Sequence, residues 1–522
     1  MGARIVLAAA CLLIAALYAS FANLKGIGTD EGFRLGIING GREYTADVAG
    51  SGATWGDVMV AITPYAYQPL YFLLQNSVMR IGGTHDELVL KGVNIFFLWL
   101  ALQGLLALAR GWALVPRLFL LGLFSLNAFL FMHVLQLREY IMGIAFYVWS
   151  TWLALRLSTR RLEQPWADAG WFAAYGVLLV AGFFTQTWAV FPAVAQGCFL
   201  VFRRAGDRLR FYTHLALSYL IVLSMALPYL ETHRQKVDIG RWGTEGTLLW
   251  PRIADGFHLV LAGHSFRHWP FTDFLFWAWL AFLAAWLLLL CFRGKSATVR
   301  AATGGEDLRQ ARFMGLCLVI TVSFQVWYFH KVDTLSVWPR YFALHYFFTL
   351  WLVALAFKCL YGLAVSSPLP ALARHGLKVV AAAALGLMLY SGFFQSRSYC
   401  HDPYLDSGLS PLNNWRVIGA SLVRVIQPGD VLLTQDFVHS WTLTFTQTFP
   451  NPVLSAQRLG QQSFDRPRRF IYLVTDPNPA THAQVVSRLA ALGYGSVHNE
   501  PLVPVAGGPA MPAWSILVFQ RP

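Results

Sequence analysis

The feature that most constrains this chain is a series of apolar runs separated by short basic segments. Eleven such runs occur along the sequence, and a helix needs about 20 apolar residues to cross a bilayer. The composition agrees, because 56% of the residues are hydrophobic and only 13% are charged, whereas about one quarter of a soluble domain is charged. The sequence therefore predicts an α-helical polytopic membrane protein with about eleven transmembrane helices. The predicted spans are 4–22, 88–109, 117–133, 139–156, 169–185, 187–203, 211–229, 273–292, 313–329, 342–362 and 379–395.

The basic residues predict how the chain is oriented. If the N-terminus is cytoplasmic, every cytoplasmic loop contains Arg or Lys, as the positive-inside rule requires. The formal net charge of +14 is then explained by topology, and it gives no reason to expect a nucleic-acid partner. We expect an integral protein of a bacterial inner (plasma) membrane, with residues 1–22 retained as the first span. The segments predicted to lie outside are 23–87, 230–272, 330–341 and 396–522.

The predicted domains are a transmembrane domain over 1–395, with a large first outer loop at 23–87, and an extracytoplasmic α/β domain over 396–522. In the tail, strands are predicted at 431–433, 470–474 and 515–519, and helices at 415–426 and 482–492. Strands that alternate with helices are typical of an α/β domain. The tail has no glycine-rich phosphate-binding motif, so no nucleotide is expected there.

The first outer loop contains an apolar segment that is too short to span. The segment from Pro69 to Arg80 has about a dozen residues, whereas a span needs about 20. We interpret it as an interfacial helix on the outer leaflet. A buried re-entrant segment is the alternative.

An acidic pair, Asp30 and Glu31, begins this loop just outside the first span. Charges beside hydrocarbon are costly, so the pair calls for an explanation. Two interpretations remain open: the carboxylates lie in water, or one of them is a general base for a lipid-linked substrate. No cofactor is required by the sequence, and no metal-ligand spacing occurs. A divalent cation such as Mg²⁺ or Mn²⁺ in the acidic loop stays open.

Sugar transfer from a polyprenyl-phosphate donor would need the residue types found near the outer ends of the spans. The phosphate leaving group needs cations, and the acceptor hydroxyl needs a carboxylate base, which contributes about 10²–10⁴ in rate. The alternatives are that Arg80 and Lys91 reach to lipid head groups, and that Glu139 neutralises Arg138. The candidate cations are Arg80, Lys91, Arg138, Lys331 and Arg340, and the candidate aromatic residues are Tyr67, Tyr71, Tyr140, Trp338 and Tyr341.

Short motifs follow one another along the chain. The Asp-Glu pair at 30–31 opens the first outer loop. Tyr-Gln-Pro-Leu-Tyr at 67–71 begins the interfacial helix, and the next span contains the basic residue Lys91. Arg-Glu-Tyr at 138–140 follows a short outer turn and begins the fourth span. A later Arg-Tyr, at 340–341, enters another span.

This ordered set resembles the polytopic GT-C glycosyltransferases that use polyprenyl-phosphate sugars. Within them it is similar to bacterial relatives of the protein mannosyltransferases and of the lipid A aminoarabinose transferases. Tyr67 and Gln68 stand where these families have His and Pro, and Lys91 stands where Arg is usual. The likeness covers most of the chain in layout, including the C-terminal outer α/β domain.

The resemblance implies a site at the outer face of the bundle. Asp30 would be the general base, and Glu31 would assist through position or charge. Arg138 would bind the donor phosphate by the motif, Arg340 is a further phosphate candidate, and Lys331 is a candidate by position alone. Arg80 and Lys91 complete the predicted donor-phosphate set, and the predicted substrate-binding set is Tyr67, Gln68, Tyr71, Tyr140 and Tyr341.

The function predicted from the sequence is transfer of a sugar to a glycan, lipid or protein of the cell envelope, with inversion at the anomeric carbon. The α/β domain would cover the site or help to select the acceptor. A lipid or polysaccharide transporter or flippase is the first alternative. Transporters often have internal repeats and mid-membrane charges, whereas no repeat is found here and the charges gather at the outer edge. A non-catalytic envelope assembly factor is the second alternative.

Overall fold

The computed structural model divides the chain into two compact units. The first unit comprises Met1–Ser20, Val93–Leu135 and Glu139–Arg397, and the second comprises Phe21–Gly92, Gln136–Arg138 and Ser398–Pro522. The division into 1–395 and 396–522 stays a prediction. The residues that the structure describes are 2–24, 29–39, 53–63, 67–83, 87–160, 162, 164–202, 208–236, 257–258, 260–261, 271–292, 304–332, 343–366, 375, 379, 382–383, 386, 390, 393, 416–435, 451–456, 459, 467–474, 479–501 and 515–521.

Helices dominate the described part of the chain. Six of them are long and apolar enough to cross a membrane, and a bent pair would make a seventh span. The helices are α1 (Gly2–Leu24), α2 (Thr29–Ile38), α3 (Trp55–Ile62), α4 (Pro69–Gly82), α5 (Glu87–Leu108), α6 (Leu114–Ser125), α7 (Ala128–Leu135), α8 (Tyr140–Leu157), α9 (Pro165–Thr185), α10 (Val190–Val201), α11 (Arg208–Lys236), α12 (Phe271–Phe292), α13 (Gly305–Val332), α14 (Ala343–Ser366), α15 (Arg416–Val425) and α16 (Pro479–Ala491).

The predicted span at 117–133 is not one straight helix. It is divided between α6 and α7, whose axes are bent by 61°. Asn127 provides the reason, because its Oδ1 accepts a hydrogen bond of 2.8 Å from the backbone N–H of Phe129. An asparagine side chain that satisfies a free backbone N–H is a typical way to start a new helix.

Other predicted spans agree with the structure to different degrees. The runs at 4–22, 88–109, 139–156, 169–185, 211–229 and 342–362 each coincide with one of the six long apolar helices. The span predicted at 187–203 is shorter in the structure, where the apolar helical stretch is Thr187–Val201. This stretch begins with a 3₁₀ turn, two residues after α9 ends at Thr185. Helices α12 and α13 lie over 273–292 and 313–329, and 379–395 lies mostly outside the described residues. The structure therefore supports six or seven spans among the described residues, and eleven stays a prediction.

A buried carboxylate joins two helices and the loop before α9. Asp168 is fully buried in the first turn of α9. It accepts hydrogen bonds of 3.0 Å from Nε of Arg160 and of 3.0 Å from the N–H of Gln164. Nη2 of Arg210, on α11, lies 3.5 Å from Oδ2 of Asp168, the oxygen that also accepts from Gln164. The carboxylate thus pairs with two arginines and lies at the start of α9, where a negative charge is favourable.

We expect Asp168→Asn to lower the stability of the protein by about 1–3 kcal/mol, because a hydrogen bond to a charged group is replaced by a weaker one and two arginines lose their counter-ion. The thermal unfolding midpoint in detergent measures this loss. Glu306→Gln is the matched control, since Glu306 pairs with Arg309 and is 55% exposed. An exposed pair contributes little. Equal midpoints for the two variants would contradict a structural role for Asp168.

A five-stranded mixed sheet forms in the tail. The strand order is β2-β1-β3-β5-β4. Strand β1 is parallel to both β2 and β3, whereas β5 is antiparallel to β3 and β4. The strands are β1 (Val431–Thr434), β2 (Val453–Ser455), β3 (Arg469–Val474), β4 (Gly495–Pro501) and β5 (Ser515–Gln520).

The central strands are packed on both faces, since alternate residues of a strand point to opposite sides of the sheet and each side has its own buried cluster. One face packs Ile471 and Ile516 with Leu422 of α15. The other packs Tyr472 with Leu489 of α16. The strands and helices predicted in the tail are all present, and β2 and β4 are additional. An extracytoplasmic location for this α/β structure stays a prediction.

Three short helices of the predicted first outer loop pack together in the second unit. Helices α2, α3 and α4 share a buried apolar cluster that includes Ile38, Ile62, Phe72 and Met79. Asn76 of α4 connects the three helices by hydrogen bonds. Its Nδ2 donates to the carbonyl oxygen of Ile38, at the end of α2, at 2.9 Å and to that of Ala53, just before α3, at 3.2 Å. The segment predicted from Pro69 to Arg80 is the helix α4, and its interfacial position stays a prediction.

Candidate functional site

The acidic pair lies in the first turn of α2. Asp30 is the second residue of this helix. Glu31 is buried, with a relative exposure of 2% for the residue. Carboxylates are favourable at a helix N-terminus, where the backbone N–H groups carry partial positive charge. The pair is therefore part of a helix, and Glu31 lies away from solvent, unlike in the interpretation that places both carboxylates in water.

Glu31 fixes a segment that is distant in sequence. Its Oε1 accepts a hydrogen bond of 2.9 Å from the backbone N–H of Leu137, which is 106 residues away. Leu137 is itself buried in the apolar cluster of α2, α3 and α4. A buried N–H needs an acceptor, and a carboxylate is a strong one. This contact brings the segment that contains Arg138 to the start of α2.

Arg138 follows Leu137 directly, and its side chain is one of the largest that are fully buried, with 1% exposed. The backbone N–H of Arg138 donates to the carbonyl oxygen of Gln136 at 2.8 Å, which closes a tight turn. The turn thus fixes the backbone position from which the Arg138 side chain extends. A buried guanidinium offers up to five N–H donors in a planar group, which suits a phosphate.

Arg34 is a further buried cation that the sequence analysis missed. It lies three residues after Glu31, on the same side of α2, and is 6% exposed. Its guanidinium carbon is 5.1 Å from the ring centroid of Tyr67 and 5.7 Å from that of Phe72, and these two rings stack at 5.4 Å. Cation–π contacts of this kind hold a guanidinium in place. The spacing of Glu31 and Arg34 was the signal that could have revealed it.

The motif at 67–71 begins α4. Gln68 is the N-cap residue and Pro69 is the first helical residue, a position that suits proline because its missing N–H is not needed there. Tyr71 is fully buried. Its hydroxyl accepts from Nε2 of Gln75 at 3.0 Å. Tyr71 is therefore part of the packing of α4, whereas Tyr67 contacts Arg34.

The other two predicted cations of this unit differ strongly in exposure. Lys91 is fully buried. Its Nζ donates to the carbonyl oxygen of Ala22 at 3.3 Å and lies 3.9 Å from Oε1 of Glu87. Arg80 is exposed in the last turn of α4. Lys91 is thus ordered inside the unit, whereas Arg80 faces away from the buried cluster.

The remaining predicted residues are not brought into this group by the described structure. Tyr140 belongs to the first unit, where it is buried and its ring centroid lies 4.5 Å from that of His133. Lys331 is the penultimate residue of α13. Trp338, Arg340 and Tyr341 lie outside the described residues. Among the residues that the structure describes, no group of three His, Cys, Asp or Glu residues could hold a metal ion.

Comparisons with known proteins identify the fold. No protein-family model and no curated protein sequence matches the chain. The structure is similar to ArnT from Cupriavidus metallidurans in the apo state, with 11% identity, 99% of this chain and 98% of that chain covered, and a TM-score of 0.54. It is also similar to the same protein bound to undecaprenyl phosphate, with 11% identity, the same coverage and a TM-score of 0.53.

A third solved structure, the arabinofuranosyltransferase AftD from Mycobacteria, has 13% identity and a TM-score of 0.49, with 98% of this chain and 39% of that chain covered. The likeness to ArnT extends over nearly the whole length of both chains. The chain therefore has a GT-C-like fold. Among the described residues, six helices are long and apolar enough to cross a membrane, as an integral membrane protein requires.

Proposed function

We propose that this protein is a membrane glycosyltransferase that moves a sugar from a polyprenyl-phosphate donor to a cell-envelope acceptor on the outer face of the membrane. The observation that carries the proposal is the hydrogen bond of 2.9 Å between Glu31 and the N–H of Leu137. It joins the helix of the acidic pair to the turn that contains Arg138. A carboxylate base and a phosphate-binding cation are the two groups that this reaction needs most.

The cations of the second unit suit the donor phosphate. Arg138 and Arg34 are buried, and buried guanidinium groups make strong, directional hydrogen bonds to phosphate oxygens. The bond that breaks joins the anomeric carbon to a phosphate oxygen, so negative charge grows on the phosphate. Cations that are already in place stabilise this charge without rearrangement.

The two acidic residues have different roles in this proposal. Asp30 takes the proton from the acceptor hydroxyl while the hydroxyl oxygen attacks the anomeric carbon and the polyprenyl phosphate leaves. A single displacement inverts the configuration at that carbon. Glu31 orients the turn before Arg138, because its carboxylate is occupied by the N–H of Leu137.

Similarity to a known complex supports the choice of donor. One of the similar solved structures is ArnT bound to undecaprenyl phosphate. With the N-terminus cytoplasmic and about eleven spans, the first outer loop and the tail would both lie on the outer side. A transporter is the second candidate. Transporters commonly bind substrate near the middle of the membrane between broken helices, whereas the polar groups described above lie in short helices and a turn of the second unit.

A transfer assay tests the proposal. The purified protein in lipid nanodiscs is given undecaprenyl-phosphate sugars, hexoses and pentoses, with outer-envelope lipids and glycans as acceptors. We expect release of undecaprenyl phosphate with at least one donor. Movement of the intact lipid-linked sugar across proteoliposomes, without release of undecaprenyl phosphate, would contradict the transferase and favour the transporter.

The Glu31→Ala and Glu31→Gln variants separate position from charge. Alanine leaves the buried N–H of Leu137 without its acceptor, which costs about 1–3 kcal/mol, so we expect transfer to fall about 10- to 100-fold with weaker donor binding. Glutamine keeps an acceptor oxygen in the same place, so we expect it to restore most of the rate. A glutamine variant as slow as the alanine variant would assign Glu31 to a role that needs its charge.

A further inference from the structure

A cavity in the first unit is lined by none of the residues that were predicted to act in sugar transfer. Its volume is about 850 Å³, and its wall is formed by the ends of α5, α8 and α13, by Lys358 of α14 and by the segment after α5. Cavities of roughly 300–1,000 Å³ are the usual size for small-ligand sites. Arg110, Arg156 and Arg309 of this wall come from segments that the positive-inside rule assigns to the cytoplasm. The cavity therefore belongs to the predicted inner end of the bundle.

The wall of this inner cavity has an excess of positive charge. Four cationic and two anionic side chains line it. Arg309 pairs with Glu306, and Lys358 with the buried Asp307. Arg110 and Arg156 are the two cations in excess of these pairs. Their charge attracts an anion from the membrane surface or from the cytoplasm.

Two further properties of the wall narrow the chemistry of a ligand. Gln310 is 4% exposed, and among the described residues its Oε1 has no hydrogen-bond donor, while its Nε2 donates to Glu306 at 3.2 Å. The wall thus holds a buried acceptor that a ligand hydroxyl would satisfy. The Trp152 ring lies beside Arg156, whose guanidinium carbon is 5.7 Å from the ring centroid, and Trp112 also lines the cavity. Tryptophan is typical of the boundary between lipid and water.

We propose that the inner cavity binds the head group of an anionic phospholipid of the inner leaflet, one with a phosphodiester and a hydroxyl-bearing head group. Arg110 and Arg156 would hold the phosphate, and Gln310 would accept from the hydroxyl. Basic pockets between transmembrane helices on the cytoplasmic side are a recurring form of lipid recognition. The inference rests on the predicted orientation and is independent of the proposed sugar transfer.

Lipid binding to the purified full-length protein tests this inference. Phosphatidylglycerol, phosphatidate or phosphatidylcholine is titrated into detergent micelles, and bound lipid is counted by native mass spectrometry. We expect phosphatidylglycerol to bind most tightly, and we expect the Arg110→Gln/Arg156→Gln variant to bind it about tenfold or more weakly, because two attractive charges are lost. Arg4→Gln/Arg208→Gln is the control, because these exposed arginines lie on the same predicted side and their loss removes the same charge.

A second variant keeps the test valid if the double variant does not fold. Gln310→Leu should reduce the preference for phosphatidylglycerol over phosphatidate, which lacks the head-group hydroxyl, without a change of charge. If inorganic phosphate at the same concentration displaced phosphatidylglycerol from the cavity, the ligand would be a soluble phosphate and the lipid proposal would be wrong. Equal binding of phosphatidylglycerol by both double variants would overturn the site.

Discussion

Sugar transfer by the Asp30→Asn variant is expected to be about 10²- to 10⁴-fold slower than by the wild type, because asparagine removes the general base and keeps the shape of the side chain. Binding of undecaprenyl phosphate should stay unchanged, since in this account the cations hold the phosphate. The initial rate of undecaprenyl phosphate release in nanodiscs measures the first effect, and equilibrium binding of the lipid measures the second.

The matched control is Glu31→Gln. It makes the same change from carboxylate to amide at the neighbouring residue, whose Oε1 accepts from the N–H of Leu137. A small effect at Glu31 and a large one at Asp30 would separate the base from the positioning residue. Transfer near the wild-type rate in Asp30→Asn would remove Asp30 from the catalytic role and would favour a non-catalytic assembly factor.

The Arg138→Gln variant is expected to bind undecaprenyl phosphate about 10- to 100-fold more weakly, because a charge-assisted hydrogen bond to phosphate contributes about 1.5–3 kcal/mol. A titration with the lipid in detergent measures the affinity. Arg80→Gln is the matched control: Arg80 is exposed, so its loss should change the affinity by less than about threefold.

Arg138 is fully buried, so its replacement can also destabilise the protein. The Arg138→Lys variant addresses this, because lysine keeps the charge but loses the planar group that binds two phosphate oxygens at once. We expect it to have an intermediate affinity and a near-normal unfolding midpoint. An unchanged affinity in both variants would assign Arg138 to structure alone.

The sequence predicted the elements of the candidate site better than their contacts. Short motifs made Glu31 and Arg138 candidates, but nothing in either motif indicates that Glu31 contacts the backbone of Leu137. That hydrogen bond joins residues far apart in the chain, and such contacts are decided by how helices pack. Arg34 was missed because its spacing from Glu31 indicates a shared helix face only if residues 29–38 are helical, and its contact with the Tyr67 ring joins segments that are distant in sequence.

The spans were predicted by hydropathy, which records length and polarity but not helix breaks. The run at 117–133 is predominantly apolar, and the division into α6 and α7 falls at Asn127, whose side chain accepts from the N–H of Phe129. In the tail, the apolar strands β1, β3 and β5 were predicted from their composition. Strand β2 has three residues and β4 is polar, so neither has the apolar run that identifies a buried strand.

The most direct test of the account is a structure of the purified protein with undecaprenyl phosphate added. We predict lipid phosphate density beside Arg138 and Asp30, with the tail leaving into the surrounding lipid. A continuous path across the bundle with no phosphate near Asp30 would contradict the transferase and would favour a transporter.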